Sequence, residues 1–212
     1  EVLPAGKYPD VLPFRLPLEE ARVYLQHLGY TRQRLMEMYW PYDETIPANE
    51  ITPVNYYTES AGMSKEAADI IINAGSGGTP WIYYGFEQED DIWYLSPTDS
   101  SVYLKGSWDE LLRGDIPGDN QGGLDVLLYI LKISFRELRQ LLQVDLLNPV
   151  DGGVRRVSIQ PRAGAPLDTC DLRKLRLQIT GGGSNAFFDK LHRFVRLWRG
   201  TGLSIYELDL LL

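Results

Sequence analysis

SNAFFDKLHRFVRLWRGTGLSIYELDLLL, residues 184 to 212, is the stretch whose reading decides the fold. Phe187, Leu191, Phe194, Val195 and Trp198 fall at i, i+4, i+7, i+8 and i+11, one apolar face at the helical period. Lys190, Arg193, Arg196 and Arg199 lie largely off that face. Gly200 and Gly202 supply the positive-φ tolerance that ends a helix. Ser204 and Glu207 then have the spacing of a capping box, in which the hydroxyl accepts from the N3 amide and the carboxylate from the cap amide. A second helix is expected from there, running apolar through Ile205, Leu208, Leu211 and Leu212. Such a run needs a partner to cover it, so the chain is expected to be a piece of something larger.

Working outward, the same unit recurs. Thr31, Ser64, Ser134 and Ser204 each follow an apolar residue and precede another at helical spacing, at the junction of two helical patterns. Their intervals are near one or two units of a helix-hairpin repeat. Ser107 with Glu110 is a weaker fifth match. Repeated helical hairpins are the expectation, with coincidental use of a common cap as the alternative.

The rest of the chain fits between these units. Residues 1–16 hold Pro4, Pro9 and Pro13 and read as an extended arm; residues 17–212 read as the helical body. Pro17 suits a helix start, and Leu18, Ala21, Leu25 and Leu28 make one face before Gly29. A second helix is expected from Arg32 to Tyr39, irregular chain over 41–58, and a short helix from Lys65 to Asn73. WIYYGF (81–86), IWYLS (92–96) and SVYLKG (101–106) are aromatic and β-branched runs that predict a small β-meander, an insertion packed on the helices. Residues 107–113 make a helical turn, and Leu124, Leu127, Leu128 and Leu131 with Leu138, Leu141 and Leu142 make another helix pair, ended by Asp151-Gly152-Gly153. VRRVSIQ and LRKLRLQIT predict short strands within 154–180. The fold class expected is mainly α.

Composition narrows the function. Apolar residues are 44%, charged residues 24% and aromatic residues 11%, the balance of a globular chain. A net charge of −8 argues against nucleic acid as a partner, since phosphate contacts need concentrated Lys and Arg. The stripe Lys190, Arg193, Arg196 is the exception, either a solvated face or one that meets a partner. Cys170 is the single cysteine, so neither an internal disulfide nor a cysteine metal site is available. There is no apolar run of membrane-spanning length and no signal peptide at the start, although a chain that begins at Glu1 makes the missing signal uninformative.

Candidate chemistry is sparse. Gly75-Ser76-Gly77-Gly78 is followed by Thr79-Pro80 rather than the Lys-Ser/Thr of a phosphate loop and reads as a turn. Asp115, Asp119, Asn120 and Asp125 are oxygen ligands without EF-hand spacing. His27 and His192 have no metal-ligand spacing and read as packing or capping residues. Glu87, Glu89, Asp90 and Asp91 read as a solvated charge run at a strand connection. No catalytic residue, cofactor site or metal site is expected. The remaining candidate is the aromatic cluster Trp81, Tyr83, Trp93, Tyr94 and Trp108, with Tyr84, Phe86 and Tyr103 beside it. It is either a platform for sugar rings or a protein partner, or the core of a very small sheet.

LPFRLPLEEARVYLQHLGYTRQRLMEMYW near the start, CDLRKLRLQ, and FFDKLHRFVRLWRGTGLSIYELDLLL at the end resemble the A component of bacterial insecticidal toxin complexes (Tc toxins). The resemblance lies in the region shared with the Salmonella plasmid virulence protein A family. It implies a fragment of a much longer, secreted or surface-held, non-enzymatic subunit. In that family the subunit is a homopentamer with a central channel inside a helical shell. It binds host cells, opens on a pH change, inserts into the host membrane and passes a toxic enzyme supplied by the B–C components. This segment would belong to the α-helical shell, with the 29 acidic residues a possible source of pH sensitivity. The competing expectation is a stand-alone glycan- or protein-binding module built on the aromatic cluster over 81–108.

Overall fold

The structure, a computed structural model, describes residues 15–39, 53–72, 79–116, 122–181 and 183–212. Most of the expected N-terminal arm, the segment 41–52, the glycine run 75–78, and Asp119 with Asn120 lie outside the described residues. In chain order the helices are α1 (Leu16–His27), α2 (Arg32–Met38), α3 (Pro53–Ser60), α4 (Lys65–Ile72), α5 (Trp108–Arg113), α6 (Leu124–Leu131), α7 (Phe135–Leu141), α8 (Ser184–Thr201) and α9 (Ile205–Leu211). The strands are β1 (Ile92–Leu95), β2 (Tyr103–Gly106), β3 (Val150–Asp151), β4 (Val154–Arg155), β5 (Val157–Pro161) and β6 (Leu175–Ile179). They form three separate antiparallel pairs, β1–β2, β3–β4 and β5–β6. The described residues are therefore mainly α with short strand pairs.

Local chemistry sets the helix starts. Thr31 accepts from the Arg34 amide at 3.1 Å and Ser64 from the Ala67 amide at 3.2 Å. Ser107 with Glu110, Ser134 with Glu137, and Ser204 with Glu207 form complete capping boxes ahead of α5, α7 and α9. Each satisfies two amides that no helical carbonyl can reach, and losing the cap residue costs about 1 kcal/mol. The helix ends are equally local: Gly202 closes α8 at φ 69°, while Lys132 takes the left-handed conformation at φ 49° to close α6.

The core gathers around α5, α6 and α8. Leu111, Leu112, Leu124, Leu127, Leu131 and Phe188 are fully buried, with Leu104 of β2 and Leu177 of β6 against them. α5 packs on α6, α6 on β6, and α4 on α8. Phe187, Leu191, Phe194 and Val195 are buried on α8 and Trp198 is half-buried, the face expected from its spacing. Asn148, fully buried, ties the chain after α7 to β5: its Nδ2 donates to the Leu142 and Val157 carbonyls, and its Oδ1 accepts from the Val157 amide at 2.8 Å.

Four expectations are corrected. WIYYGF is not a strand: Pro80–Tyr84 is a 3₁₀ turn, opened by Pro80 and closed by Gly85 at φ 85°. Tyr84 is buried beneath α8 and its hydroxyl donates to the Phe188 carbonyl at 2.7 Å, so the aromatic segment is a wall of the core rather than an insertion resting on it. Residues 53–60 are helical where irregular chain was expected through residue 58, with Pro53 at the first helical position, which its fixed φ suits. Asp151-Gly152-Gly153 does not merely terminate a helix pair. Both glycines have positive φ, a type I′ combination that turns β3 into β4. Finally, α7 makes its closer helix contact with α9 rather than with α6, so these two capped junctions are elbows in the chain.

Candidate functional site

The five aromatic candidates do not share one surface. Trp108 opens α5 and is buried in the core, 5.5 Å from the Phe188 ring and 6.1 Å from Trp81, which is half-buried over it. Tyr83 stacks on His192 at 4.3 Å, and Tyr94 meets Phe86 edge-on at 6.0 Å. Only Trp93 of the five stands mostly in solvent, 65% exposed. The reason is strand alternation: Ile92 points to the core, and Trp93 and Leu95 point outward. Opposite them, the register pairs Trp93 with Lys105 and Leu95 with Tyr103. The outer face of the β1–β2 hairpin therefore carries Trp93, Leu95, Tyr103 and Lys105, of which Lys105 and Leu95 were not singled out from sequence. The Lys105 ammonium lies 5.4 Å from the Trp93 ring and 3.1 Å from Asp91.

The basic stripe is also redistributed. Arg193 Nε donates to the Ile71 carbonyl at 2.6 Å, and the same guanidinium reaches Ile72 and Asp189. Arg199 donates to the Leu131 and Lys132 carbonyls. These two side chains clamp the C-terminal ends of α4 and α6, where unpaired carbonyls and the helix dipole favour a cation. Arg196 is buried, its guanidinium 5.9 Å from the Tyr83 ring. Lys190 alone of the three named candidates stays exposed, within 3.5 Å of the Leu146 carbonyl. The expected partner-facing stripe is thus corrected: two of its three members turn inward, because neighbouring helix ends and an aromatic ring offer them better partners than water.

A polar knot lies under the 3₁₀ turn. His192 is 1% exposed, stacked on Tyr83, edge-on to Tyr84 at 6.1 Å, and 3.4 Å from the Asp189 carboxylate. Neither ring nitrogen has a hydrogen-bond partner among the described residues. Burial, followed by the charges of Arg196 and Arg193, pushes its pKa down to about 3, so the imidazole is neutral at ordinary pH. Burial likewise raises the Tyr84 phenol well above its usual value. His27, in the last turn of α1, is exposed.

Glu59 forms a second knot. Its carboxylate accepts from Arg22 Nε at 2.9 Å and from Arg22 Nη2 at 3.0 Å, and also pairs with Arg32. Arg22 further reaches Glu19 and the Gly62 and Met63 carbonyls. Burial works to raise the Glu59 pKa, and the two guanidinium groups outweigh it, so the carboxyl sits below its ordinary value. This arrangement locks α1, α2 and α3 together.

Of the four oxygen ligands noted in the sequence, the two among the described residues, Asp115 and Asp125, are already engaged. Asp115 pairs with Arg176 at 2.8 Å, while Asp125 accepts from the Gly123 amide at 2.8 Å and from the Thr98 hydroxyl. No cluster of three metal-ligating side chains occurs among the described residues, and no helix among them is long and apolar enough to cross a membrane. A cavity of about 80 Å³ lies between β5–β6 and α8, lined by Leu147, Val157, Ile179 and Phe187, and is too small for a ligand of ordinary size. Among the described residues, surfaces open to a partner include the hairpin face and the apolar surfaces of α1 and α9, where Tyr24 and Leu28, and Tyr206, Leu210 and Leu211, are each more than half exposed. Set against protein-family models, curated proteins and solved structures, the chain matches none of them.

Proposed function

We propose that the chain is a non-enzymatic segment of the α-helical shell of a toxin-translocating A subunit, in a secreted or cell-surface insecticidal toxin complex. In this reading the subunit is a homopentamer that receives its cargo from the B–C components and meets the host membrane through other parts of the chain. The observation that carries the reading is the pairing of the sequence resemblance with uncovered apolar helix faces. The stretches that carry it include α1 and α9, and those two helices leave Leu16, Val23, Tyr24 and Leu28, and Tyr206, Leu210, Leu211 and Leu212, in solvent. A shell segment covers such faces with neighbouring chain. Complete capping boxes and arginine clamps on helix ends suit a stiff wall whose work is to hold shape.

The test uses cysteine as a probe of cover. With Cys170 replaced by Ser, a cysteine at Leu28 or Leu211 should react freely with a thiol reagent in the 212-residue chain and be shielded in the assembled longer subunit. Equal reactivity in both would count against the shell assignment.

A second reading, a binding module, is favoured by the open hairpin face. It keeps Trp93 of the original aromatic candidates and loses Trp108 to the core.

A further inference from the structure

We infer that the outer face of the β1–β2 hairpin is a docking surface for a basic, extended segment of a protein partner. Trp93, 65% exposed, and Tyr103, 59% exposed, stand on the same face. The register makes them diagonal neighbours, so their backbones are about 7 Å apart. An alternating extended peptide laid across them presents every second side chain to this pair.

Charge selects the occupant. Residues 87–106 hold Glu87, Glu89, Asp90, Asp91 and Asp99 against the single cation Lys105. That is a net −4 over this stretch within a chain of net −8, and Asp91 of the stretch reaches the face through Lys105. The carboxylate turn has a defined shape: Gln88 donates to the Asp91 carbonyl at 3.2 Å, Trp108 donates its amide to the Glu89 carbonyl at 2.9 Å, and Asp91 is held at φ 55°. Lys105 already occupies the position a ligand cation would take, over the Trp93 ring and against Asp91. It demonstrates that this ring and this carboxylate accept an ammonium group together, the geometry of a cation–π contact backed by an ion pair. A docking Lys or Arg displaces Lys105 or takes the equivalent place on Tyr103.

The inference is independent of the toxin-shell reading, since it concerns a surface that this chain builds by itself. The experiment is fluorescence anisotropy of the full 212-residue chain with a labelled peptide alternating Lys and Thr. The same peptide with Glu for Lys, and a neutral cello-oligosaccharide, serve as comparison ligands. The expected result is binding of the Lys peptide alone. Trp93→Ala with Tyr103→Ala should weaken it about tenfold, and Lys105→Ala should tighten it by removing the internal competitor. In a Trp93→Ala background the gain from Lys105→Ala should vanish, which separates loss of competition from a change in net charge. Circular dichroism checks that these exposed-site variants stay folded. Absence of Lys-peptide binding, binding indifferent to both aromatic substitutions, or preferential binding of the oligosaccharide would overturn the inference.

Discussion

Replacing His192 by Phe should remove most of the acid sensitivity of this fold between neutral pH and pH 5. The imidazole is 1% exposed, and its pKa falls from 6.5 to about 3 on folding. Between those two values the unfolded chain binds a proton that the folded chain refuses, so stability falls as pH is lowered below about 6.5 and stops falling near 3. From about pH 7 to about pH 5 the loss from this group is about 2 kcal/mol. That figure follows chiefly from the unfolded-state value, because the folded imidazole is neutral throughout the interval. Asp189, 3.4 Å away, would favour the protonated ring, but burial and the charges of Arg196 and Arg193 prevail. Phe keeps a ring against Tyr83 and Tyr84 and discards two nitrogens that lack partners among the described residues, so at pH 7 the variant should gain about 1 kcal/mol. Urea unfolding of both proteins at the two pH values measures the difference directly. An unchanged pH dependence in His192→Phe would refute the assignment of the effect to this ring.

Two other perturbations follow from the same physics. Glu59→Gln leaves Arg22 and Arg32 without their buried carboxylate and should destabilise by about 3 kcal/mol in a urea titration at neutral pH. Because the folded pKa of Glu59 is lowered, its contribution is present above the ordinary carboxylate range and is lost as pH falls through the folded value, so the wild type and the variant should converge in strong acid. Gly123→Ala places a Cβ 2.4 Å from the Leu172 carbonyl oxygen and 2.6 Å from Arg173 backbone atoms, so α6 must shift away from the second 3₁₀ turn, Leu172–Lys174. Its melting temperature should drop by several degrees, and a variant that melts with the wild type would show that the approach is looser than described.

Much of the helical framework was legible because its signals are local. A hydroxyl with a carboxylate three residues later can hardly do anything else at a helix start, and Ser107, Ser134 and Ser204 all form the complete box. The apolar face of α8 was readable for the same reason: eighteen residues give its period room to repeat. What failed depended on distant partners. Tyr84 belongs to the core because α8 passes over it, and no pattern within WIYYGF announces that. Arg193 and Arg199 turn inward because the carbonyl ends of α4 and α6 arrive beside them from elsewhere in the chain.

The hairpin site was half legible. Strict alternation in IWYL assigns Trp93 to the face opposite Ile92, which was available from sequence. Its companions were not, since only the register Trp93 to Lys105 and Leu95 to Tyr103 brings the second strand's residues alongside. Treating all nearby aromatics as one cluster obscured a division that the strand period makes cleanly. Trp108 and Tyr84 serve the core, and Trp93 and Tyr103 serve the surface.

The central proposal, that this chain is shell within a larger homopentamer, meets its most direct test in the solution mass of the longer subunit it is proposed to belong to. Light scattering across acid, neutral and alkaline pH should give five copies for the longer chain, with the 212-residue segment monomeric by itself. A longer chain that remains a monomer at every pH would contradict the account and leave the hairpin as the principal guide to what this protein does.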